Sequence, residues 1–301
     1  MQLSKKAEAS KIKIKVPKIK KKKKVSEIVI SVIVFIFFCI LAVIALLPFY
    51  AMLLASFKPA TELFRYGLNL KIDFSVMSFK NYNALFNDST ILYLSWYKNS
   101  VLITLINTLL SLLLSSMVGY GLAKYDFKGR NFIFILVLFV MMVPVEILIL
   151  PLYKLTVSLK IINTYWGIIL PFVISPSAVF FFRQYAQGIP RDFMDAARID
   201  GCSEYGIFLK IMAPLMQPAF GAMTILVSLG SWNNFLWPLI EMREGNTFTL
   251  PVGLMSLMTP YGNNYSAVLA GSVLSVLPII IVFLINQESF ISGLTVGGVK
   301  G

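Results

Sequence analysis

The residues of this chain that could do chemistry fall into two groups. The first is a charged turn, DAARIDGCS, in which Asp195 and Arg198 stand close to two further acids, at positions 192 and 200. The second is a set of polar side chains inside long apolar runs: Asn107, Ser111, Glu146, Asn233 and Asn234. A compact charged turn is typical of docking onto another protein, and polar groups within apolar spans are typical of a pathway or a subunit contact.

Composition excludes several kinds of enzyme. The chain has no histidine, which removes His-dependent triads, histidine metal ligands and histidine proton relays. Its two cysteines, Cys39 and Cys202, fit no metal spacing and no disulfide framework. No cluster of acids, bases or metal ligands supports a membrane enzyme. We therefore expect a protein that is not an enzyme and that holds no metal or cofactor itself.

The elements that position these residues belong to a membrane protein. Apolar residues make up 57% of the 301 residues and charged residues only 14%, against about 25% charged in soluble domains. Six segments are long enough to cross a bilayer, and they predict an all-α polytopic fold. The segments cover residues 28–56, 99–123, 131–153, 164–182, 207–239 and 266–285.

The lysines and arginines set an orientation. Eleven lysines lie between Lys5 and Lys24, which predicts a disordered basic tail over residues 1–26, ahead of a transmembrane domain over 27–301. The tail precedes a span, so we expect it to meet anionic membrane lipid rather than nucleic acid. With both termini inside, 19 of the 27 basic residues are cytoplasmic. The positive-inside rule then places DAARIDGCS in the cytoplasm.

The charged turn is predicted to be a helix, a corner and a second helix. Pro190 suits a first helical turn, and the helix would run to about residue 199 or 200. Gly201 is then the left-handed residue that ends it, and Ser203 caps the next helix. Phe193, Ala196 and Ala197 would share one face that a partner could approach closely. An ordinary solvated loop is the alternative.

Residues 189–218 closely resemble the EAA loop of ABC importer permeases. Asp195 stands where that family has Glu, and Ala196, Ala197 and Gly201 match its pattern. The runs NTYWGIILP, SWNNFLWPLI and TLPVGL look like the carbohydrate-uptake subfamily. From about Phe49 to the last residue, the chain resembles the second permease subunit of maltose and multiple-sugar importers, which has a MetI-like transmembrane domain.

The resemblance implies a division of labour in the bacterial cytoplasmic membrane. A second, homologous permease subunit would complete the pathway, two cytoplasmic ATPase subunits would hold ATP and Mg²⁺, and an external solute-binding protein would deliver the sugar. Consistently, the chain has no Gly-rich phosphate-binding loop ending in Gly-Lys-Ser/Thr. By resemblance, the ATPase-coupling residues are Asp192, Phe193, Asp195, Ala196, Ala197, Arg198, Asp200 and Gly201.

The polar residues of the spans allow two interpretations. Asn107 and Ser111 belong to a polar face of the second span, together with Ser100, Thr104 and Ser115. That face could line a sugar pathway, or it could pack against another helix. Glu146 is predicted to lie deep in the third span, where an acid usually marks a pathway, a cavity or a partner. A proton-coupling role would fit a secondary transporter, and a conformational or subunit contact would fit an ABC permease. Asn233 and Asn234 lie near the outer end of the fifth span, where they could meet sugar.

The sequence leaves the substrate open. Importers of glycerol-phosphate or other polyols share most of these motifs. A self-contained secondary transporter is a further alternative, but it would show matching repeats in two halves, and the sequence has no such repeat.

Overall fold

The structure, a computed structural model, describes residues 25–67, 70–259 and 262–295. Residues 1–24 of the predicted basic tail lie outside that range. Within it the chain forms fifteen α-helices: α1 Val25–Ser56, α2 Ala60–Tyr66, α3 Lys80–Asn87, α4 Tyr93–Lys124, α5 Arg130–Met142, α6 Val145–Ser158, α7 Tyr165–Ile169, α8 Pro176–Gln187, α9 Asp192–Ile199, α10 Glu204–Ile207, α11 Ala213–Leu215, α12 Gln217–Trp232, α13 Leu236–Glu241, α14 Leu250–Ser256 and α15 Tyr265–Thr295.

Two helices continue into turns of a different pitch. A 3₁₀ turn, Leu170–Phe172, follows α7, and a π-helical segment, Phe208–Met212, joins α10 to α11. Strand structure within the described ranges is limited to one antiparallel pair, β1 Met258–Thr259 and β2 Gly262–Asn263, in which Met258 is opposite Asn263. The predicted all-α class is therefore confirmed, with this small hairpin as an addition.

Three helices are long and apolar enough to cross a membrane alone: Ile28–Ser56 within α1, α4, and Tyr265–Ile291 within α15. The third, fourth and fifth predicted spans are broken helices rather than single rods. The α5–α6 pair bends by 103°, the pair Tyr165–Phe172 and α8 by 45°, and the pair Glu204–Leu215 and α12 by 80°. Prolines adjoin these breaks, at Pro144, Pro176 and Pro218, because proline removes a backbone donor and ends or kinks a helix. Six spans require each bent pair to count as one, so that number stays a prediction.

The chain divides into two compact units, at Pro48 and Phe49. The first holds the earlier part of α1, and the second holds the rest of α1 and every later element. In the second unit α4 packs against α8 and α12, and α12 packs against α15. A small residue permits the α4–α8 contact, since a Cβ atom on Gly119 would be only 2.8 Å from Phe182 Cβ and from the Val179 carbonyl oxygen of α8.

The segment between α1 and α4 is fixed to the end of α1 by one buried amide. The Asn81 Nδ2 group donates to the carbonyl oxygens of Ser56 and Lys58, at 2.8 Å in each case. Carbonyl groups at a helix C-terminus lack partners within the helix. Asn81 therefore supplies a C-terminal cap for α1 and anchors α3.

Candidate functional site

A polar cavity lies between α4, α7, α8 and α12. Its volume is about 280 Å³. The polar part of its wall consists of amides and hydroxyls, and the rest is apolar. The lining residues are Asn107, Ser111, Ile168, Phe172, Ser175, Ser177, Met223, Leu226, Val227, Gly230, Ser231 and Asn234.

Two polar atoms of this wall are buried without a partner. Neither the Asn107 Oδ1 atom nor the Ser111 Oγ atom has a hydrogen-bond partner among the described residues. Leaving such groups unpaired costs about 1–3 kcal/mol each, so they are expected to find partners in water or a ligand. An amide and a hydroxyl are the groups that bind sugar hydroxyls, because each donates and accepts.

The predicted polar face of α4 serves packing at its two ends and the cavity in its middle. The Ser100 Oγ atom accepts a hydrogen bond from Leu250 N at 2.7 Å, and Ser115 Oγ accepts one from Ser175 N at 3.2 Å. Asn107 and Ser111, between them, line the cavity. Packing is therefore shown for Ser100 and Ser115, and the role of Asn107 and Ser111 in a sugar pathway stays a prediction.

The structure brings together three of the five residues predicted for the pathway. Asn234 lines the cavity with Asn107 and Ser111. Asn233 does not line it; its side chain is exposed, and its Nδ2 group donates to the Leu229 carbonyl at 3.1 Å. Glu146 does not line it either, because it is an exposed residue in the first turn of α6.

A buried acid that sequence reasoning missed lies beside the elements of the cavity. Glu241, the last residue of α13, has no exposed surface. Its Oε2 atom accepts a hydrogen bond from Thr156 Oγ1 at 3.1 Å, whereas Oε1 has no hydrogen-bond partner among the described residues. Burial raises the pKa of this carboxyl above its ordinary value. From the sequence, Glu241 belongs to the segment between the fifth and sixth predicted spans, because it follows the apolar run 207–239.

Hydrogen bonds around Glu241 hold α7, which contributes Ile168 to the cavity wall. Asn163 N donates to the Glu241 carbonyl oxygen at 3.1 Å, and the Asn163 Oδ1 atom accepts from Arg243 N at 3.0 Å. From α13, Trp237 Nε1 donates to the Gly167 carbonyl at 3.1 Å. Together with the bond from Thr156 of α6 to Glu241, these bonds hold α6, α7 and α13 to one another behind the cavity.

The charged turn has the predicted helix–corner–helix form. Helix α9 begins after Arg191, and Gly201 follows it with a φ of +77°, in the left-handed region. Ser203 caps the next helix, since its Oγ accepts a hydrogen bond from Gly206 N at 3.2 Å. We call residues 189–206 the coupling loop.

The prediction of the partner face of α9 is wrong for Ala197. Ala197 is only 3% exposed and Met194 only 2%, and both pack with Ile207, Phe208 and other residues of this chain. Phe193 and Ala196 are exposed. Because Met194 and Ala197 are three residues apart, they share the inward face of the helix, and the surface left for a partner is on the other side.

The charges of α9 pair within the chain. Arg198 Nε donates to Glu204 Oε1 at 2.8 Å, and Arg198 Nη1 donates to Asp195 Oδ1 at 3.0 Å. This finding assigns Asp195, the residue that replaces the family's Glu, to an ion pair with Arg198. Asp192 and Asp200 are exposed.

Three contacts attach the coupling loop to the end of α4. Tyr125 donates its hydroxyl to Glu204, Lys124 donates its ammonium to the Ile189 carbonyl, and the Tyr120 ring packs in one cluster with Met194. Since α4 also carries Asn107 and Ser111, one helix connects the coupling loop with the cavity.

Residues 111–288 match the family described as "Binding-protein-dependent transport system inner membrane component". The chain belongs to this family. It is thus a multi-pass membrane permease, a transport component of an importer, and the family favours this over a self-contained secondary transporter. The matched residues include α8 to α14 and most of the cavity wall.

Relatives of this permease are sugar transport proteins. The arabinooligosaccharides transport system permease protein AraQ of Bacillus subtilis is 62% identical over 266 residues, covering 88% of this chain and 94% of its own. The lactose transport system permease protein LacG of Rhizobium radiobacter is 34% identical, covering 86% and 92%. The trehalose/maltose transport system permease protein MalG of Thermococcus litoralis is 31% identical, covering 87% and 94%.

A solved structure has the same fold as this permease. It is a bacterial ABC transporter involved in the import of the acidic polysaccharide alginate, and one of its chains matches with a TM-score of 0.76. The match covers 89% of this chain and 98% of that chain at 23% identity, and it therefore supports the fold alone.

Proposed function

We propose that this permease forms half of the pathway for an uncharged oligosaccharide containing arabinose. The observation that carries the proposal is the cavity wall, in which unpaired Asn107 and Ser111 atoms stand among serines, Asn234 and apolar side chains. Hydroxyl and amide groups match the hydroxyl groups of a sugar, and apolar surface such as the Phe172 ring suits the faces of sugar rings. The 62% identity to AraQ supports arabinose oligomers in particular.

The cavity argues against an anionic substrate. Phosphate and carboxylate groups are bound in proteins by arginine, lysine or helix N-termini. None of the described residues that line the cavity is charged. A glycerol-phosphate substrate would therefore enter this wall without a cation to pair with its charge, and an uncharged sugar or polyol fits better.

The coupling loop is proposed to receive the motion of an ATPase subunit. Its exposed residues Phe193 and Ala196 would dock in a cleft of that subunit, while Met194 and Ala197 hold α9 against the permease. A displacement of α9 would be transmitted to α4 through Tyr125 and Lys124, and the movement of α4 would change the shape of the cavity. ATP and Mg²⁺ belong to the ATPase subunits in this scheme. In this scheme the chain has six spans with both termini in the cytoplasm, which would put the loop on the ATPase side.

Reconstituted transport tests the proposal. Proteoliposomes would contain this chain, the second permease subunit and the two ATPase subunits, with the solute-binding protein outside and ATP inside. We expect uptake of labelled arabinotriose that requires ATP and every subunit, and no uptake of glycerol 3-phosphate. Uptake by this chain alone under an ion gradient, or preferential uptake of glycerol 3-phosphate, would overturn the proposal.

A further inference from the structure

Arg183 of α8 carries a positive charge that has no acceptor. Within the part of the chain that the structure describes, its guanidinium group forms no ion pair and no hydrogen bond, and its Nε atom is buried. An aromatic ring holds it instead, since the guanidinium carbon lies 3.6 Å from the centre of the Phe134 ring of α5. A charged donor left unpaired is more costly than a neutral one. We therefore expect Arg183 to meet an anion from outside these residues.

Arg130 of α5 lies next to Arg183. Arg130 and Phe134 are four residues apart and share one face of α5, and Arg183 is stacked on that same ring. The two positive charges are close enough to act on each other. Arg130 contacts Asp126 and the Tyr125 carbonyl oxygen through its Nη1 group alone, so its Nε and Nη2 groups have no acceptor among the described residues. Two neighbouring guanidinium groups thus have donors without acceptors.

Asp126, the acid that contacts Arg130, does not neutralise this pair. One of its carboxylate oxygens binds Arg130, and the other binds Arg191 at 3.1 Å. Its single charge is therefore shared between two arginines, and Arg183 receives none of these contacts. The short segment 124–130 also carries two lysines. The charge around the pair is thus positive, and a ligand that binds both guanidinium groups must be an anion.

The pair lies at the depth of lipid headgroups. Arg130 is the first residue of α5, and residues 126–129 before it form an exposed loop with two charges, which belongs in water. Phe134 lies one helical turn further, about 6 Å along the axis, and Arg183 is stacked on it. The headgroup layer on each side of a bilayer is about 5–8 Å thick. Lipid phosphate groups are therefore the acceptors that surround a guanidinium group at this depth.

The surface next to the pair suits acyl chains. Ile133 and Val140, on the side of α5 adjacent to Arg130, are 41% and 51% exposed. A free phosphate ion would gain nothing from this apolar surface. A phospholipid would bind with its phosphate group at the two arginines and its acyl chains along α5, and the surface therefore favours the lipid.

We propose that Arg183 and Arg130 together bind the phosphate group of an anionic phospholipid such as phosphatidylglycerol. Guanidinium forks bind phosphate oxygens in pairs. The Phe134 ring fixes one fork and Asp126 fixes the other, so little side-chain freedom is lost on binding. A zwitterionic lipid would bring a further cation to a positive surface and should bind more weakly. The inference requires only that the chain spans a membrane, and it is independent of the transported sugar and of the ATPase subunits.

Native mass spectrometry of the full-length chain in detergent tests the site. The chain would be titrated with phosphatidylglycerol and, separately, with phosphatidylcholine of the same acyl chains, and we expect the former to bind more tightly. Arg183→Gln should weaken phosphatidylglycerol binding by about tenfold to hundredfold, as expected for hydrogen bonds to a charged group. The matched control is Lys128→Gln, which removes one charge from the exposed loop and should weaken binding by no more than about fivefold.

Three further measurements separate the lipid from other ligands. Arg130→Gln repeats the test from the other helix, in case Arg183→Gln loses the packing on Phe134, and it should also weaken binding. Inorganic phosphate at millimolar concentration should not displace the lipid, and the lipid should stay bound in the assembled complex. Equal binding of the two lipids, or equal losses for Arg183→Gln and Lys128→Gln, would overturn the proposal. Displacement by phosphate would assign the pair to a free anion, and loss of the lipid on assembly would assign it to a protein contact; either result refutes the lipid site.

Discussion

Gly167 lies directly against the carboxyl group of Glu241. A Cβ atom on Gly167 would be 2.2 Å from Glu241 Oε1 and 2.5 Å from the Ile161 carbonyl oxygen, both well inside van der Waals contact. The glycine therefore permits the close approach of α7 to α13, and with it the support behind the cavity wall.

Gly167→Ala should destabilise the permease, because the added methyl group must displace Glu241 or the backbone at Ile161. Such overpacking costs about 1–3 kcal/mol. The measurement is the unfolding temperature of the purified complex in detergent. Gly121→Ala is the matched control, since Gly121 lies in α4 with nothing within 4 Å of its added Cβ. Equal unfolding temperatures for the two variants would show that α7 accommodates the added methyl group without a loss of stability.

Stability should depend on pH through Glu241. Burial raises the pKa of its carboxyl above 4.5 in the folded protein, so folding favours the protonated form. The stabilisation is fully present below the unfolded pKa and is lost as pH rises through the folded pKa. We expect the unfolding temperature to fall over that interval.

The Glu241→Gln variant is the control for this pH dependence, because it keeps a neutral side chain of the same shape. Its unfolding temperature should be less dependent on pH over the same interval. If the variant and the unmodified protein have parallel pH profiles, other groups are responsible.

Asn107→Ala and Ser111→Ala should each weaken transport of the sugar. Each removes one neutral hydrogen-bonding group from the cavity wall, which corresponds to about 0.5–1.5 kcal/mol, or about twofold to tenfold in the apparent KM for uptake. Asn233→Ala is the matched control, as an asparagine that is exposed and does not line the cavity. An apparent KM that changes more for Asn233→Ala than for Asn107→Ala would exclude this cavity as the pathway.

Substitution of Gly201 should separate ATP hydrolysis from transport. Its φ of +77° costs any other residue about 1–2 kcal/mol. The backbone at position 201 must therefore change its conformation, and α9 must move with it. In Gly201→Leu we expect correct membrane insertion, retained ATPase activity of the complex and greatly reduced uptake. Gly188→Ala is the control, because Gly188 has a φ of −73° that alanine adopts without strain. Normal coupled uptake by Gly201→Leu would contradict the role of the corner.

The parts of the coupling loop that depend on nearby residues could be predicted from the sequence. A helix after Arg191, a left-handed Gly201 and a cap at Ser203 all follow from chemistry within a few positions. The inward face of α9 could not be predicted in the same way. It is set by Tyr120 and Phe208, which come from other helices, and spacing within α9 does not indicate which face they cover.

The same distinction applies to the cavity and to Glu241. A polar stripe on α4 was predictable, but only the positions of Leu250 and Ser175 show that its ends are packed and its middle is open. Glu241 follows an apolar run and so reads as a loop residue. Its burial depends on Thr156 and Gly167, more than 70 positions earlier in the chain.

The π-helical segment Phe208–Met212 gives the connection between the coupling loop and α12 one surplus residue. A π-turn closes its hydrogen bonds one residue later than an α-turn. If the segment tightened to α-helical hydrogen bonding, the surplus residue would have to be absorbed elsewhere, and each preceding residue would rotate about the axis by about 100° relative to those that follow. The register between α10 and α12 is therefore set by this one segment, and a change in its hydrogen bonding alone would turn one against the other.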